Sequence, residues 1–253
     1  MCTFVILRRP DTIFPVLIAA NRDEMAGRPW KTPGRHWPDR PDVIAGLDEL
    51  AGGSWLGLND AGLVAAVLNR VGTLGPEAGK RSRGELVLEA LDHADAAEAA
   101  RALTHLDPRA YRPFNLVIAD NREAFCLSHR GDAADGRISA EPIPLGLSMV
   151  TARDLNDESS PRTGLYRPLF AAAEPPDPAR GDWSAWEKLL TSRLSAGGAG
   201  PRGAMCVVTD TGFGTTSSAL ISLPAVGHPE IAPIWRFAPG RPGEVPWHDI
   251  DLT

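Results

Sequence analysis

Met1-Cys2-Thr3-Phe4-Val5-Ile6-Leu7 opens the chain, and a second apolar run, Phe14-Pro15-Val16-Leu17-Ile18-Ala19-Ala20, leads into the polar cluster Asn21-Arg22-Asp23-Glu24. Both runs are β-type, and Arg9-Pro10-Asp11-Thr12 between them has turn chemistry, so the pair predicts a hairpin. Pairing brings the cluster at the end of the second strand beside Cys2. Period-two alternation puts Asn21 and Asp23 on one face and Arg22 and Glu24 on the other. An acid, an amide and a guanidinium beside a thiol predict control of its protonation, with the thiolate favoured. Initiator methionine is trimmed when the next residue is small, so the expected mature start is Cys2. One residue would then carry both a thiol and an α-amine, and that amine, with a reference pKa of about 7.7–8.0, is a competent base.

Further along, Trp55-Leu56-Gly57-Leu58, the turn Asn59-Asp60-Ala61-Gly62 and Leu63-Val64-Ala65-Ala66-Val67-Leu68-Asn69 predict a second hairpin. Phe114–Ala119 and Ala124–Leu127 around Asp120-Asn121-Arg122-Glu123 predict a third. Ser82 with Glu85 three residues on predicts a capping box at a helix start, and Asp95 starts another helix expected to run to Leu106. Pro161–Ala173 and Trp183–Leu194 are the other expected helices. Ala204–Asp210, Gly214–Leu223 and Ile234–Ala238 are the closing strands. The Pro-rich stretch from Arg28 to Pro41, with Trp30, His36 and Trp37, has little regular signal and reads as a long loop able to cover a ligand. The glycine-rich stretch from Ser195 to Pro201 lacks a P-loop lysine and reads as a linker.

These pieces also occur in a recognisable order. Met1-Cys2-Thr3, Asn21-Arg22-Asp23-Glu24, Gly27-Arg28-Pro29-Trp30, Gly52-Gly53-Ser54-Trp55-Leu56-Gly57, Asn69-Arg70, Ser82-Arg83-Gly84-Glu85-Leu86, Phe114-Asn115-Leu116 and Gly214-Thr215-Thr216-Ser217-Ser218 together resemble the NRDE family, also called the transport and Golgi organisation protein 2 family. That family is similar in turn to N-terminal-nucleophile (Ntn) hydrolases of the choloylglycine hydrolase and penicillin V acylase kind. The resemblance covers nearly the whole chain. It implies one domain over residues 1–253, an α+β fold, and a four-layer αββα Ntn-hydrolase-like sandwich of mostly antiparallel sheets. It also implies a catalytic set of Cys2 as nucleophile, Asp23 as orienter, Asn69 as oxyanion donor and Arg162, from Ser159-Ser160-Pro161-Arg162, as substrate contact or thiol tuner. Asn21, Arg22, Trp55 and Arg70 are the expected substrate-binding residues. The chain departs from the choloylglycine hydrolase pattern twice, with Ala20 where that pattern has arginine and Met149 where it has a second asparagine.

The expected function is therefore cleavage of an amide, ester or thioester of a small acyl substrate, with no metal or organic cofactor. The alternative that the resemblance brings is a carrier, with haem as a transported ligand or an acyl-coenzyme A or lipid in the same pocket. Composition sets the outer bounds. The chain has 253 residues, 43% hydrophobic and 23% charged, enough for a large core. Its net charge of −6 argues against a nucleic-acid partner. No apolar run approaches the length of a membrane span. The three cysteines, without a CxxC pair, suit a reducing cytoplasm, and Cys126 and Cys206 sit in apolar runs as buried thiols. Arg8-Arg9 ahead of Thr12–Ala20 has the outline of an export leader, but Asp11 and Pro15 interrupt it. The six histidines show no metal-binding spacing.

Overall fold

The computed structural model describes residues 2–131 and 136–253; Met1, on which the terminal-processing expectation depends, lies outside the described residues. In chain order, β1 (Thr3–Arg8) and β2 (Val16–Met25) form the expected first hairpin. Then follow β3 (Trp30–Gly34), β4 (Val43–Asp48), β5 (Leu56–Asn59) and β6 (Val64–Asn69), and the helices α1 (Gly84–Leu91) and α2 (Ala96–Leu103). The strands β7 (Phe114–Ala119), β8 (Ala124–His129), β9 (Ile138–Pro142) and β10 (Gly146–Val150) come next. The helices α3 (Pro161–Ala172) and α4 (Ser184–Leu190) precede β11 (Phe213–Leu223), β12 (Ile234–Ala238) and β13 (His248–Asp249).

Contacts divide the chain into two compact units, one running to Arg28 and again from Pro144 to Ile250, the other Pro29–Ile143 with Asp251–Thr253. The first unit holds an antiparallel sheet in the order β10-β1-β2-β11-β12-β13. Its central strand β2 reads Val-Leu-Ile-Ala without a polar break because both of its faces are buried. On one face Val5, Leu17, Ala19, Met149 and Leu220 meet Tyr166 and Phe170 of α3 and Trp186 and Leu190 of α4. Phe170 and Trp186 lock the two helices edge to face, with ring centroids 5.4 Å apart. Met149, one of the two departures noted above, is fully buried in this helix-facing core. The position at which the resemblance implies a second asparagine is packing surface here.

The second unit is a seven-stranded antiparallel sheet, β3 to β9 in sequential order, with α1 and α2 packed on Val43, Ala45, Leu63, Ala65, Leu116, Ile118 and Leu127. Two of the motif pieces explain each other here. A Cβ on Gly53 would come within 2.5 Å of the Gly84 backbone, and Ser54 donates its N–H to the Gly84 carbonyl at 3.1 Å. The glycines let the strand approach and the helix start touch backbone to backbone.

Several local expectations are corrected. The capping box does not form: α1 starts at Gly84 behind Arg83, Ser82 Oγ accepts from the Gly84 N–H, and Glu85 is drawn to Arg81 at 2.7 Å. Asp95 does cap α2 through the Glu98 N–H at 2.8 Å, but that helix ends at Leu103 and α4 at Leu190, both short of expectation. The stretch from Arg28 to Pro41 contains β3, an edge strand whose register with β4 breaks between Lys31 and Gly34, where Pro33 removes a ladder donor. Ala204–Asp210 is no strand. Ala204 to Val207 are buried, but the Cys206 N–H goes to the Ser192 carbonyl and the Val207 N–H to Thr215 Oγ1, which leaves only an isolated bridge at Val208.

Candidate active site

The first unit gathers Cys2, Thr3, Asp23, Arg162 and Thr215. Thr3 opens β1 opposite Asn21, so β2 carries its polar end past Cys2. On the other side of β2, β11 pairs Thr215 with Asp23 and then slips register before Ser217, a bulge that sets Thr215 against the acid. Asp23 is buried, and both of its carboxylate oxygens are engaged. Arg162 Nη1 donates to Oδ2 at 3.0 Å and Thr215 Oγ1 to Oδ1 at 2.7 Å. Arg162 comes from the first turn of α3, which Ser160 caps through the Thr163 N–H. The same guanidinium donates to Thr3 Oγ1 at 2.6 Å and to the Arg202 carbonyl at 2.8 Å. One buried cation thus ties β1, β2, the start of α3 and the Pro201–Gly203 turn together. Thr3, Thr215 and the Arg202 carbonyl were given no role from sequence. The Gly214–Ser218 motif was the signal that pointed at Thr215.

Cys2 meets this network through backbone. Its thiol donates to the Asp23 carbonyl at 3.8 Å, while the Asp23 carboxylate belongs to Arg162 and Thr215. The residue is partly exposed, yet burial of its sulfur is the largest influence on it and pushes the thiol pKa up. The positive chain terminus pulls the other way, the Asp23 charge adds to the rise, and the hydrogen bond to the Asp23 carbonyl and, least, the Arg22 guanidinium lower it without outweighing burial. The expectation that the polar cluster favours the thiolate is therefore corrected: desolvation outweighs it, and Cys2 rests as a thiol. In protein that retains Met1, the iodoacetamide labelling rate of Cys2 is expected to keep climbing above pH 9 rather than level off. A plateau near pH 7, measured by peptide mass mapping of timed aliquots, would contradict this.

The other two members of the polar cluster divide as alternation predicts. Asn21 shares the helix-facing side with Asp23. Its amide nitrogen donates to the Leu190 and Met205 carbonyls at 3.1 and 3.0 Å, and its oxygen accepts from Ser218 at 2.6 Å. As placed, Asn21 fastens α4 and the 205 segment to the sheet, which leaves no donor for the substrate contact expected of it. Arg22 lies on the opposite face and donates to Thr216 Oγ1 at 3.2 Å. Continuing the β1–β2 register by one residue sets it beside Cys2, in keeping with the pull of its charge on the thiol.

Asn69, Arg70 and Trp55 belong to the second unit. Asn69 ends β6, is half-buried, and makes no side-chain hydrogen bond among the described residues, so its amide is uncommitted. Arg70 donates to Asn115 Oδ1 at 2.6 Å, and Ser128 donates to the same oxygen at 3.0 Å. Asn115, from the Phe-Asn-Leu motif, is the fully buried anchor of that arginine. Trp55 stands edge to face with Trp30 at 5.6 Å, above Gly46, where an added Cβ would come within 2.4 Å of its ring. Among the described residues no group of three or more His, Cys, Asp or Glu is placed to hold a metal ion, and no helix is long and apolar enough to cross a membrane. Cys126 and Cys206 are free thiols and buried.

Comparison with known proteins places this geometry in context. The family described as Transport and Golgi organisation 2 matches residues 1–165. The Transport and Golgi organization 2 homolog of Mus musculus is 32% identical over 110 residues, 42% of this chain and 39% of that protein. The Homo sapiens homolog is 33% identical over 112 residues, with the same coverage of 42% and 39%. The match thus spans well under half the length of these curated relatives. Among solved structures, penicillin V acylase from Agrobacterium tumefaciens superposes with a TM-score of 0.56 at 14% identity, over 100% of this chain and 88% of that one. A variant of conjugated bile acid hydrolase from Clostridium perfringens gives 0.56 at 13% identity, over 99% and 94%. The Caenorhabditis elegans ortholog of N-acylethanolamine-hydrolyzing acid amidase gives 0.55 at 13%, over 87% and 92%. At such identities the likeness is one of fold, and the fold is the α+β Ntn-hydrolase class.

Proposed function

Because the chain belongs to the Transport and Golgi organisation 2 family and has the Ntn-hydrolase fold, we propose that it is a cysteine-nucleophile acyl hydrolase acting on an amide, ester or thioester of a small acyl substrate. The observation that carries this reading is the seat of Cys2. Cys2, a partly exposed residue, lies just before β1 with its sulfur against the backbone of an Asp23 whose carboxylate is held by a buried arginine and a threonine. The solved structures that share the fold are named as acylases, amidases and hydrolases, which supports the class of reaction.

The chemistry follows from the thiol being protonated at rest. Attack on a carbonyl needs a base, and in this reading the base is the Cys2 α-amine that loss of Met1 would expose. The amine takes the thiol proton, sulfur adds to the carbonyl, and the same proton passes to the leaving nitrogen, oxygen or sulfur. Water then attacks the thioester on Cys2, frees the acid and restores the thiol. Asp23 acts as a positioning residue, since its carboxylate accepts from Arg162 and Thr215 and its carbonyl accepts from the sulfur. Asn69 keeps only the role that the family resemblance implies, an amide donor of the kind that is worth about 10²–10³ in rate where an oxyanion develops. Asn69→Ala is expected to lower kcat by that order while ligand affinity changes little.

A panel of amide, ester and thioester substrates, run on protein whose intact mass shows loss of Met1, tests the reading. Turnover is expected in the processed protein and not in a form with an extra residue blocking Cys2. Equal turnover by both forms would remove the amine from the mechanism.

A further inference from the structure

The Gly214-Thr215-Thr216-Ser217-Ser218 stretch does more than set Thr215 against Asp23. In the pairing of β11 with β2, Thr215 lies opposite Asp23 and Ser217 opposite Arg22. Thr216 is therefore the extra residue of the bulge, with no opposite number on β2. Its hydroxyl closes a ring with Arg22: it accepts from Arg22 Nη1 at 3.2 Å and donates to the Arg22 carbonyl at 3.3 Å. Ser217, in register with Arg22, is buried, and its hydroxyl has no hydrogen-bond partner among the described residues. Of the two β11 hydroxyls beside Arg22, the displaced one takes the guanidinium.

That hold decides where the charge of Arg22 lies. Thr3 pairs with Asn21, so the next position along sets the stem of Arg22 beside Cys2. Yet β2 has β1 on one side and β11 on the other, each about 4.8 Å away. A guanidinium bonded to β11 thus leans away from the strand that Cys2 leads into. The thiol registers this: of the charges that act on it, the chain terminus, Asp23 and Arg22, the last acts least. The Asp23 carboxylate is held by Arg162 and Thr215, and Arg162 is spread over Asp23, Thr3 and the Arg202 carbonyl. Arg22 differs from both, because the partner it has in Thr216 is a neutral hydroxyl. For a cation that is 5% exposed, a neutral hydroxyl is a weaker partner than a negatively charged sulfur.

We propose that Thr216 is a positioning residue that keeps the Arg22 guanidinium on β11 and off the Cys2 sulfur, so that the bulge hydroxyl and the sulfur compete for one cation. Its meaning for turnover rests on the acyl-hydrolase reading, in which sulfur carries negative charge only while it attacks, but its test reads the thiol alone. Iodoacetamide labelling of Cys2 would be timed across a range of pH and read by peptide mass mapping. In Thr216→Val the guanidinium loses its hydroxyl and turns to the sulfur. Labelling near pH 7 is then expected to speed up at least about threefold, with the rise of rate beginning at lower pH, a gain held down because a more acidic thiol is a poorer nucleophile. Thr216→Ala carries the same expectation, whereas Thr216→Ser keeps the hydroxyl and should label as wild type does. Ser217→Ala removes the neighbouring buried hydroxyl and should also leave the profile unmoved, which a general loosening of β11 would not. In an Arg22→Gln background, Thr216→Val is expected to change nothing. An unmoved or slowed profile in both Thr216→Val and Thr216→Ala would overturn the assignment. So would a gain that survives Arg22→Gln, or an equal gain in Ser217→Ala. If the gain is found while the substrate panel shows no turnover, the role of Thr216 stands and the hydrolase reading falls; turnover without the gain gives the reverse.

Discussion

Cys2→Ala protein is expected to lose at least about 10³ in kcat on any substrate the wild-type chain hydrolyses, because removing a covalent nucleophile takes away the route itself. The loss should come without unfolding. The sulfur makes only a long contact at 3.8 Å to the Asp23 carbonyl, and no buried ion pair depends on it. Melting temperature is therefore expected to stay close to wild type, and affinity for a slow substrate to remain within a few-fold. Steady-state kinetics beside a calorimetric titration separate the two quantities. If Cys2→Ala kept more than about a tenth of the wild-type rate, the thiol would not be the nucleophile. If the wild type bound haem or an acyl-coenzyme A and turned over nothing on the panel, the carrier alternative would take its place.

The second large effect concerns Asp23 and Arg162. Their side chains are 0% and 4% exposed, so the pair is fully desolvated. Removing one member leaves the other as a buried, uncompensated charge, which costs on the order of 3–5 kcal/mol. Arg162→Met is expected to lower stability by that amount, and more than a generic core substitution would, because Thr3 and the Arg202 carbonyl lose their donor as well. The double variant Asp23→Asn with Arg162→Met should recover a good part of it, since the stranded charge is gone and asparagine can still accept from Thr215. Urea midpoints for the two single variants and the double variant test this. A loss below about 1 kcal/mol in Arg162→Met would mean that the pair is hydrated and contributes as little as a surface bridge.

The first hairpin was legible in the sequence because its cues are local: two β-type runs, a Pro-Asp turn, and a polar end on the second strand. The same alternation correctly separated Asn21 and Asp23 from Arg22. What these residues do was not legible, because it depends on partners far along the chain. Asp23 is satisfied by residues 139 and 192 positions away, and Asn21 by carbonyls of Leu190 and Met205. Period-two reasoning says which face a side chain takes and nothing of what meets it there. Cys2 shows the same limit in electrostatics: neighbouring charges can be read from sequence, but the burial that outweighs them cannot. Ala204–Asp210 looked like a strand because it is apolar, and it is apolar because it is buried. Its backbone partners are a threonine side chain, a loop carbonyl and a single bridge to β11, too few for a ladder. The Pro-rich stretch hid β3 for the converse reason, as an edge strand tolerates the proline that would break an inner one.

The central claim is that sulfur of Cys2 becomes covalently acylated during turnover. Processed protein mixed with excess thioester substrate, quenched in acid within one turnover and digested, should yield the N-terminal peptide heavier by the mass of one acyl group. That adduct should decay on the timescale of turnover when substrate is removed, and be missing from Cys2→Ala. An adduct on Cys126 or Cys206, or turnover with no acyl mass on Cys2 at any quench time, would contradict the account.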